Sequence, residues 1–275
     1  MARQTISVIL GVRNEERQIA RCLDALTWAD EVLVIDNRST DKTEQIARTY
    51  SNVRFFQFDD YLNAKMNFGI ENSTGDWLLR LDADEVVTRE LEREIVEEVL
   101  EKPESPFDGY WIPNRVYFFG KWLRYGVAYD DRFGKDKIGF GFRKTMWKRG
   151  FAWYEVKREH EDISVKGRWG LLRNPYDHYS HSTVSQWIQK MNYYTDRDLE
   201  RTNVLGEGFV LPKPGKTLVA MAKIFYDFQV RRKGYKDGIH GFMASALNTI
   251  YLLAWRCKLW EKHAREAREG EIVDY

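Results

Sequence analysis

Cysteine is scarce in this sequence. Cys22 and Cys257 are the only two, they lie far apart, and both sit in helix-like segments. That excludes a disulfide framework and a cysteine-built zinc site, and a reducing compartment is the simpler setting. Net charge is also nearly absent: 43 Lys and Arg stand against 42 Asp and Glu, a formal +1. Bulk electrostatic attraction to nucleic acid is therefore not expected. The opening Met1-Ala2-Arg3-Gln4 runs straight into a strand-like stretch without the apolar region of a secretion signal, so a cytoplasmic protein is expected. There is no internal repeat and no low-complexity tract. The apolar stretch Gly241 to Trp255 falls short of the roughly 20 residues needed to span hydrocarbon. No glycine-rich phosphate loop follows the first apolar run, where Gly11-Val12-Arg13-Asn14 stands instead, and this disfavours a nucleotidyltransferase.

What is present points to a folded α/β protein. The 275 residues suit one large domain or a domain with an appendage, and 43% are hydrophobic, enough for a sizeable core. Aromatic residues reach 15%, with 10 Trp and 15 Tyr; such rings pack cores, stack on sugars and sit at membrane interfaces. Strand-like runs at Thr5–Val12, Glu31–Asp36, Val53–Phe56 and Trp77–Leu81 alternate with helix-spaced segments. One helix is expected from Ala64 to Asn72, and another is capped by Thr88 with Leu91, Ile95 and Val99 on one face. Asp41 and Glu44 have capping-box spacing for a further helix. Alternating β and α predicts a mostly parallel sheet with helices on both faces. Ligands of such sheets bind beyond the carboxyl ends of the strands, and Asn14, Asp36 and Asp82 fall at three of those ends.

The chemistry centres on Asp82-Ala83-Asp84, which follows the apolar run Trp77-Leu78-Leu79-Arg80-Leu81. Two carboxylates two residues apart at a strand end can face one solvent pocket. Hard oxygen ligands suit Mg²⁺ or Mn²⁺, which keep waters and bridge substrate phosphates. Such a cation neutralises charge on a departing diphosphate. Alone, this short pattern has little weight, since an acidic loop after a strand is common; Glu85 reads as added charge. Around it stand Asn14-Glu15-Glu16, Asp36 before Arg38-Ser39-Thr40-Asp41, and Asn63, Lys65 and Asn67. A nucleotide needs carboxylate or amide partners for base and ribose and a cation near its diphosphate. Asp36 and Asn14 can supply the first, and Lys65 the second.

The stretches ISVILGVRNEE, EVLVIDNRSTDKT, NAKMNFGI and GDWLLRLDADE resemble glycosyltransferase family 2 in order and spacing. The second strand ends in Asp36-Asn37-Arg38-Ser39 where the family usually has Asp-Asp-Gly-Ser. That ending, with REHEDISVKG and NPYDHYS further on, is similar to the branch that includes lipopolysaccharide-core glucosyltransferases. The resemblance implies a GT-A fold, a Rossmann-like nucleotide-diphospho-sugar transferase architecture, here with a C-terminal helical extension. It implies a UDP-sugar donor, Mg²⁺ or Mn²⁺, a glycan or glycolipid acceptor, and inversion at the anomeric carbon. The donor-binding set it suggests is Val12, Asn14, Glu15, Asp36, Lys65, Asp82, Ala83 and His160, with Asp84 and Asp82 at the metal. Inversion needs one base on the acceptor hydroxyl; Glu161 matches the branch's His-Glu pair, and Asp162 is the fallback. His178 and His181 are candidates for a metal or a phosphate.

Three regions follow: a donor-binding half at 1–102, an acceptor and catalytic half at 103–182, and a helical part at 183–275. The middle carries an aromatic set from Trp111 to Trp122 and the basic residues Arg143, Lys144, Lys148 and Arg149, a solvated face or a phosphate-binding one. In the last region, Leu218–Val230 and Gly241–Trp255 are apolar and flanked by Arg231-Arg232-Lys233, Lys236, Arg256 and Lys258. This suits a helical hairpin against the inner face of a membrane. Two rival functions remain at this level. Asp82-Ala83-Asp84-Glu85-Val86 fits the haloacid-dehalogenase phosphohydrolase pattern, although that motif normally lies on a first strand. A membrane-docked scaffold without catalysis is the other.

Overall fold

A computed structural model of the chain describes residues 2–58, 62–102, 104–128, 139–154, 163–201 and 211–271. The chain forms two compact units, residues 1–115 with 140–180, and residues 116–139 with 181–275.

In the first unit, β1 (Ile6–Val12), α1 (Ile19–Asp24), β2 (Glu31–Asp36), α2 (Thr43–Ala47), β3 (Val53–Gln57), α3 (Leu62–Asn72) and β4 (Trp77–Asp82) follow in order. Then come β5 (Glu85–Val87), α4 (Arg89–Ile95) and β6 (Gly109–Phe118), which enters the second unit through its last residues. β7 (Lys121–Trp122) lies in that second unit. The first resumes with β8 (Gly141–Lys148), β9 (Ala152–Trp153), β10 (Ser164–Val165), β11 (Trp169–Leu171) and β12 (Tyr176–His181). The main sheet has the order β3-β2-β1-β4-β8-β6-β12-β5. Its first four strands are parallel, and β8 joins β4 antiparallel.

β1 and β2 are continuous apolar runs because both of their faces are covered. Val8, Leu10 and Val12 enter one core with α1 and α4, through Ile19, Leu23, Leu91 and Ile95. Ile9 and Ile35 enter the other with Met66 of α3. Alternate side chains of one strand feeding two cores is the signature of a doubly covered sheet. Gly69 lets α3 approach closely: a Cβ there would stand 2.5 Å from the Ile9 side chain. Thr88 caps α4 as expected, its Oγ1 accepting from Leu91 N at 3.2 Å. The expected cap at Asp41 is not formed: Lys42 is the N-cap residue of α2, and Asp41 accepts from Thr43 N at 3.0 Å and Glu16 N at 3.1 Å. Asp41 therefore ties two loops together.

The second unit holds α5 (Val184–Arg201), α6 (Pro214–Tyr226) and α7 (Gly238–Glu271). Its core is Phe118, Leu123, Trp187 and Ala244, with Met191 and Leu247 packed beside them. Asp237 is buried, and its Oδ2 accepts from Arg124 N at 3.0 Å and Tyr125 N at 2.8 Å. Among the described residues, no helix is long and apolar enough to cross a membrane.

Candidate active site

Strand register assembles the site. Gly11 of β1 pairs with Asp82 of β4, and Val12 pairs with Asp36 of β2. The carboxyl ends of three parallel strands therefore deliver Val12, Asp36 and Asp82 to one edge of the sheet, where ligands of such folds bind.

The loops behind Val12 and Asp36 lock onto each other. Asn14 adopts φ 55, a left-handed conformation in which Asn is among the better tolerated residues. Asn14 N donates to Ser39 Oγ at 2.8 Å, and Asn14 Oδ1 accepts from Thr40 N at 2.8 Å. Glu15 N donates to Thr43 Oγ1 at 2.8 Å. Asp36 is buried and accepts from both the backbone N and the hydroxyl of Ser39. The Asp-Asn-Arg-Ser ending thus turns back on its own aspartate, with Arg38 at φ 50. Lys65, in α3, is almost fully buried. Asn67 clamps the backbone of Tyr154, donating to its carbonyl at 2.7 Å and accepting from its N–H at 2.8 Å. It is a structural bracket.

Asp82-Ala83-Asp84 makes a tight turn between β4 and β5. The Asp82 carboxylate meets Arg80 Nη2 at 2.7 Å and Arg143 Nη1 at 3.4 Å. Arg143 comes from β8, whose antiparallel register pairs Leu79 with Met146; continued by three residues, that register sets Arg143 opposite Asp82. Arg143 Nη1 also donates to Glu85 Oε1 at 2.6 Å, and Asp82 N donates to Glu85 Oε2 at 2.9 Å. Glu85 is fully buried and fixes both the backbone of the motif and the guanidinium beside it. Ala83 is buried, and Asp84 is 8% exposed. Asp84 Oδ1 lies 3.6 Å from His178 Nε2, because β12 pairs antiparallel with β5 and sets His178 opposite Glu85.

The electrostatics follow from packing Asp82, Asp84, Glu85, Arg80, Arg143 and His178 close together. Burial pushes the Glu85 carboxyl up to about 8; Asp82 and Asp84 add to this, and His178 and Arg80 oppose it. Burial disfavours a charged His178, but its hydrogen bond to Asp84 and the Glu85, Asp84 and Asp82 charges outweigh that and raise its pKa. Cys22, directly under the motif, has its thiol 3.8 Å from the Asp82 carbonyl. Burial first, then the same three carboxylates, push its pKa well up, so it is an unreactive packing residue.

The donor set fits a divalent cation only of a certain kind. Among the described residues, no group of three or more His, Cys, Asp or Glu is arranged to hold a metal. The described residues therefore form no protein-only cage. Two carboxylates at a strand tip suit a cation that takes its remaining ligands from phosphate and water. A cavity of about 820 Å³ lies elsewhere in this unit, lined by residues including Glu94, Phe107, Tyr110 and Arg173. Neither Asp82 nor Asp84 lines it. Glu94 there is already saturated by the backbone N–H groups of Arg173 and Asn174 at 2.8 Å each. The strand-end chemistry, rather than cavity size, marks the candidate site.

Sequence reasoning placed Val12, Asn14, Glu15, Asp36, Lys65, Asp82, Ala83 and Asp84, and register brings Val12, Asp36 and Asp82 to one edge. His160, Glu161 and Asp162 lie outside the described residues. Arg80, Glu85 and the partnership of His178 were missed. The available signal was Arg80 itself, since a charge inside an apolar strand calls for a buried partner. The basic cluster of β8 is divided by strand alternation. Arg143 faces the carboxylates, Lys144 Nζ stands 5.0 Å from the centre of the Trp111 ring, and Lys148 Nζ lies 3.4 Å from Asp108.

Residues 7–157 match the family model for glycosyl transferase family 2. The lipopolysaccharide core biosynthesis glycosyltransferase LpsC of Rhizobium meliloti (strain 1021) is 22% identical over 270 residues, 96% of this chain and 94% of that one. A glycosyltransferase of Rickettsia typhi (strain ATCC VR-144 / Wilmington) is 27% identical over 214 residues, 74% of this chain and 70% of its own length. Among solved structures, the mannosyltransferase PcManGT from Pyrobaculum calidifontis in complex with GDP-Man and Mn²⁺ has a TM-score of 0.51 at 14% identity, covering 95% of this chain and 89% of that one. The fold is GT-A, and the phosphohydrolase and scaffold readings are set aside. The chain is a glycosyltransferase and belongs to glycosyl transferase family 2.

Proposed function

We propose that this enzyme is an inverting glycosyltransferase that moves a hexosyl group from a UDP-sugar to a membrane-associated glycan or lipid-linked acceptor of the lipopolysaccharide-core kind. The observation that carries the reading is the convergence of Val12, Asp36 and Asp82 at one sheet edge, with Asp84 two residues on. The name of the Rhizobium relative supports the acceptor class. The GDP-Man and Mn²⁺ bound to the Pyrobaculum enzyme support a nucleotide-sugar donor and a divalent cation.

In this reading Asp36, with Val12, Asn14 and Glu15, receives the nucleoside. Lys65 and Asp82 face the ribose and diphosphate, and Ala83 and His160 complete the donor contacts. Asp84, with Asp82, holds Mg²⁺ or Mn²⁺, which when bound offsets negative charge on the leaving diphosphate. Arg143 places a guanidinium beside Asp82, so positive charge stands near where the leaving group develops its own. Glu161, or Asp162 in its place, takes the acceptor's proton as its oxygen attacks the anomeric carbon. The C1–O bond to UDP breaks on the opposite face. Residues 1–102 serve the donor, 103–182 the acceptor, and 183–275 the approach to the membrane.

Incubation with UDP-hexoses and Mn²⁺ or Mg²⁺ tests the reading. Slow metal-dependent release of UDP is expected, faster with acceptor present. Phosphate release from sugar phosphates without UDP release would overturn it.

A further inference from the structure

The second unit carries an apolar surface that its own core does not use. On α6, Leu218 is 64% exposed, Val219 54% and Tyr226 56%. Residues 218, 222 and 226 follow one another at four-residue intervals, so they line one stripe of the helix. On α7, Ile239 is 65% exposed, Phe242 50% and Ile250 45%; their spacing of three and eight also keeps one face. Phe225 and Phe242 meet edge to face at 5.8 Å, which joins α6 to the start of α7. Between the helices, Val230 and Tyr235 are exposed as well. Exposed large apolar side chains gathered in this way mark an interaction site rather than ordinary surface.

The charges around this surface have one sign. Lys213, Lys216, Lys223, Arg231, Lys233 and Lys236 are exposed. The only acids between positions 211 and 260 are Asp227, which is partly exposed but ion-paired, and Asp237, which is buried. Asp227 is paired with Arg231 at 3.0 Å and Arg232 at 2.7 Å, and Asp237 caps the backbone of Arg124 and Tyr125. A protein partner of mixed charge would not need this arrangement. An anionic bilayer would, because lysines meet headgroups while Leu, Ile, Phe and Tyr enter the acyl boundary.

We infer that α6, the turn after it and the start of α7 form the surface by which this enzyme lies on an anionic lipid bilayer. The inference rests on the membrane-acceptor reading above and names the face that performs the docking. Its lysine-rich part supplies attraction, and Leu218, Tyr226, Ile239 and Phe242 supply insertion.

Flotation of the whole protein with vesicles tests it. Binding to vesicles containing phosphatidylglycerol is expected, with a loss of roughly tenfold or more on pure phosphatidylcholine or at high salt, as expected for several screened lysines. The variant Leu218→Ser/Tyr226→Ser/Ile239→Ser/Phe242→Ser changes only solvent-facing or half-exposed side chains; it should lose flotation and keep metal-dependent UDP binding. Lys216→Gln/Lys223→Gln/Lys236→Gln should lose the preference for the anionic lipid. Equal flotation of the apolar variant and the parent overturns the proposal. So does a parent that ignores vesicles yet forms a dimer in light scattering that the apolar variant abolishes. Loss of UDP binding in the parent would instead strike the transferase reading and leave the vesicle result standing.

Discussion

Replacing Glu31 by Gln separates the end of the sheet that holds the fold from the end that does the chemistry. Glu31 opens β2 and pairs in register with Ser7, four residues before the Gly11 that faces Asp82. Its carboxylate accepts from Ser7 Oγ at 2.5 Å, Thr74 N at 2.5 Å, Thr74 Oγ1 at 2.8 Å and Arg54 Nη1 at 2.8 Å. The same Ser7 Oγ accepts from Gly75 N at 2.7 Å, at a glycine where a Cβ would stand 2.6 Å from Ser7 N. Burial pushes the Glu31 carboxyl up, but the bonds from Ser7, Arg54 and Thr74 more than reverse this and lower it from 4.5 to about 2. That difference corresponds to about 3 kcal/mol of stability. Because the folded pKa is depressed, the contribution is complete above pH 4.5 and disappears as pH falls toward 2. Urea unfolding of Glu31→Gln at neutral pH should therefore show a loss of about 2–3 kcal/mol. The gap to the parent should close progressively in acid, while metal-dependent UDP binding of the folded variant stays unchanged. A gap below about 0.5 kcal/mol, or one that is the same at neutral pH and at pH 3, would refute the reasoning.

Other predictions follow from the same structure. Arg143→Met removes a donor to the buried Glu85, whose carboxyl, already pushed up to about 8, takes up a proton rather than standing charged, and should cost about 1–3 kcal/mol; adding Glu85→Gln should recover part of that in a double-mutant cycle, and strict additivity would contradict the pairing. Thr88→Ala removes the α4 cap and its bond to the Pro175 carbonyl at 2.7 Å, with an expected loss of about 1 kcal/mol in urea unfolding. Glu161→Gln should leave UDP binding near normal and reduce turnover by about 10²–10⁴-fold; retained turnover moves the base to Asp162 or elsewhere.

The parts of the fold written in local pattern were readable from sequence. β2 is expected at Glu31–Asp36 and stands there, because four apolar residues, Val32–Ile35, ended by Asp-Asn-Arg-Ser have few other solutions. The strand ends, and with them Asp36 and Asp82, followed from β/α alternation. The setting of the acidic motif did not. Arg143 lies 61 positions from Asp82, and only the antiparallel register of β8 brings the two together. The partnership of Asp84 with His178 likewise depends on β12 returning to pair with β5. Glu85 looked like one more solvated acid, whereas the strand that begins at it turns its side chain fully inward. Asn67 looked available to a ligand, yet its amide is matched to the backbone of Tyr154 across 87 positions. Long-range register leaves no periodic trace in the chain, and Arg143, His178 and Asn67 owe their roles to it.

In the proposed reaction Asp84, with Asp82, couples a divalent cation to the donor's diphosphate. Calorimetric titration of UDP with and without Mn²⁺ tests it most directly, on the parent and on Asp84→Ala. Mn²⁺ should tighten UDP binding in the parent, and the variant should lose this gain by roughly tenfold or more, about 1.4 kcal/mol, while remaining folded. Undiminished Mn²⁺ dependence in Asp84→Ala would contradict it.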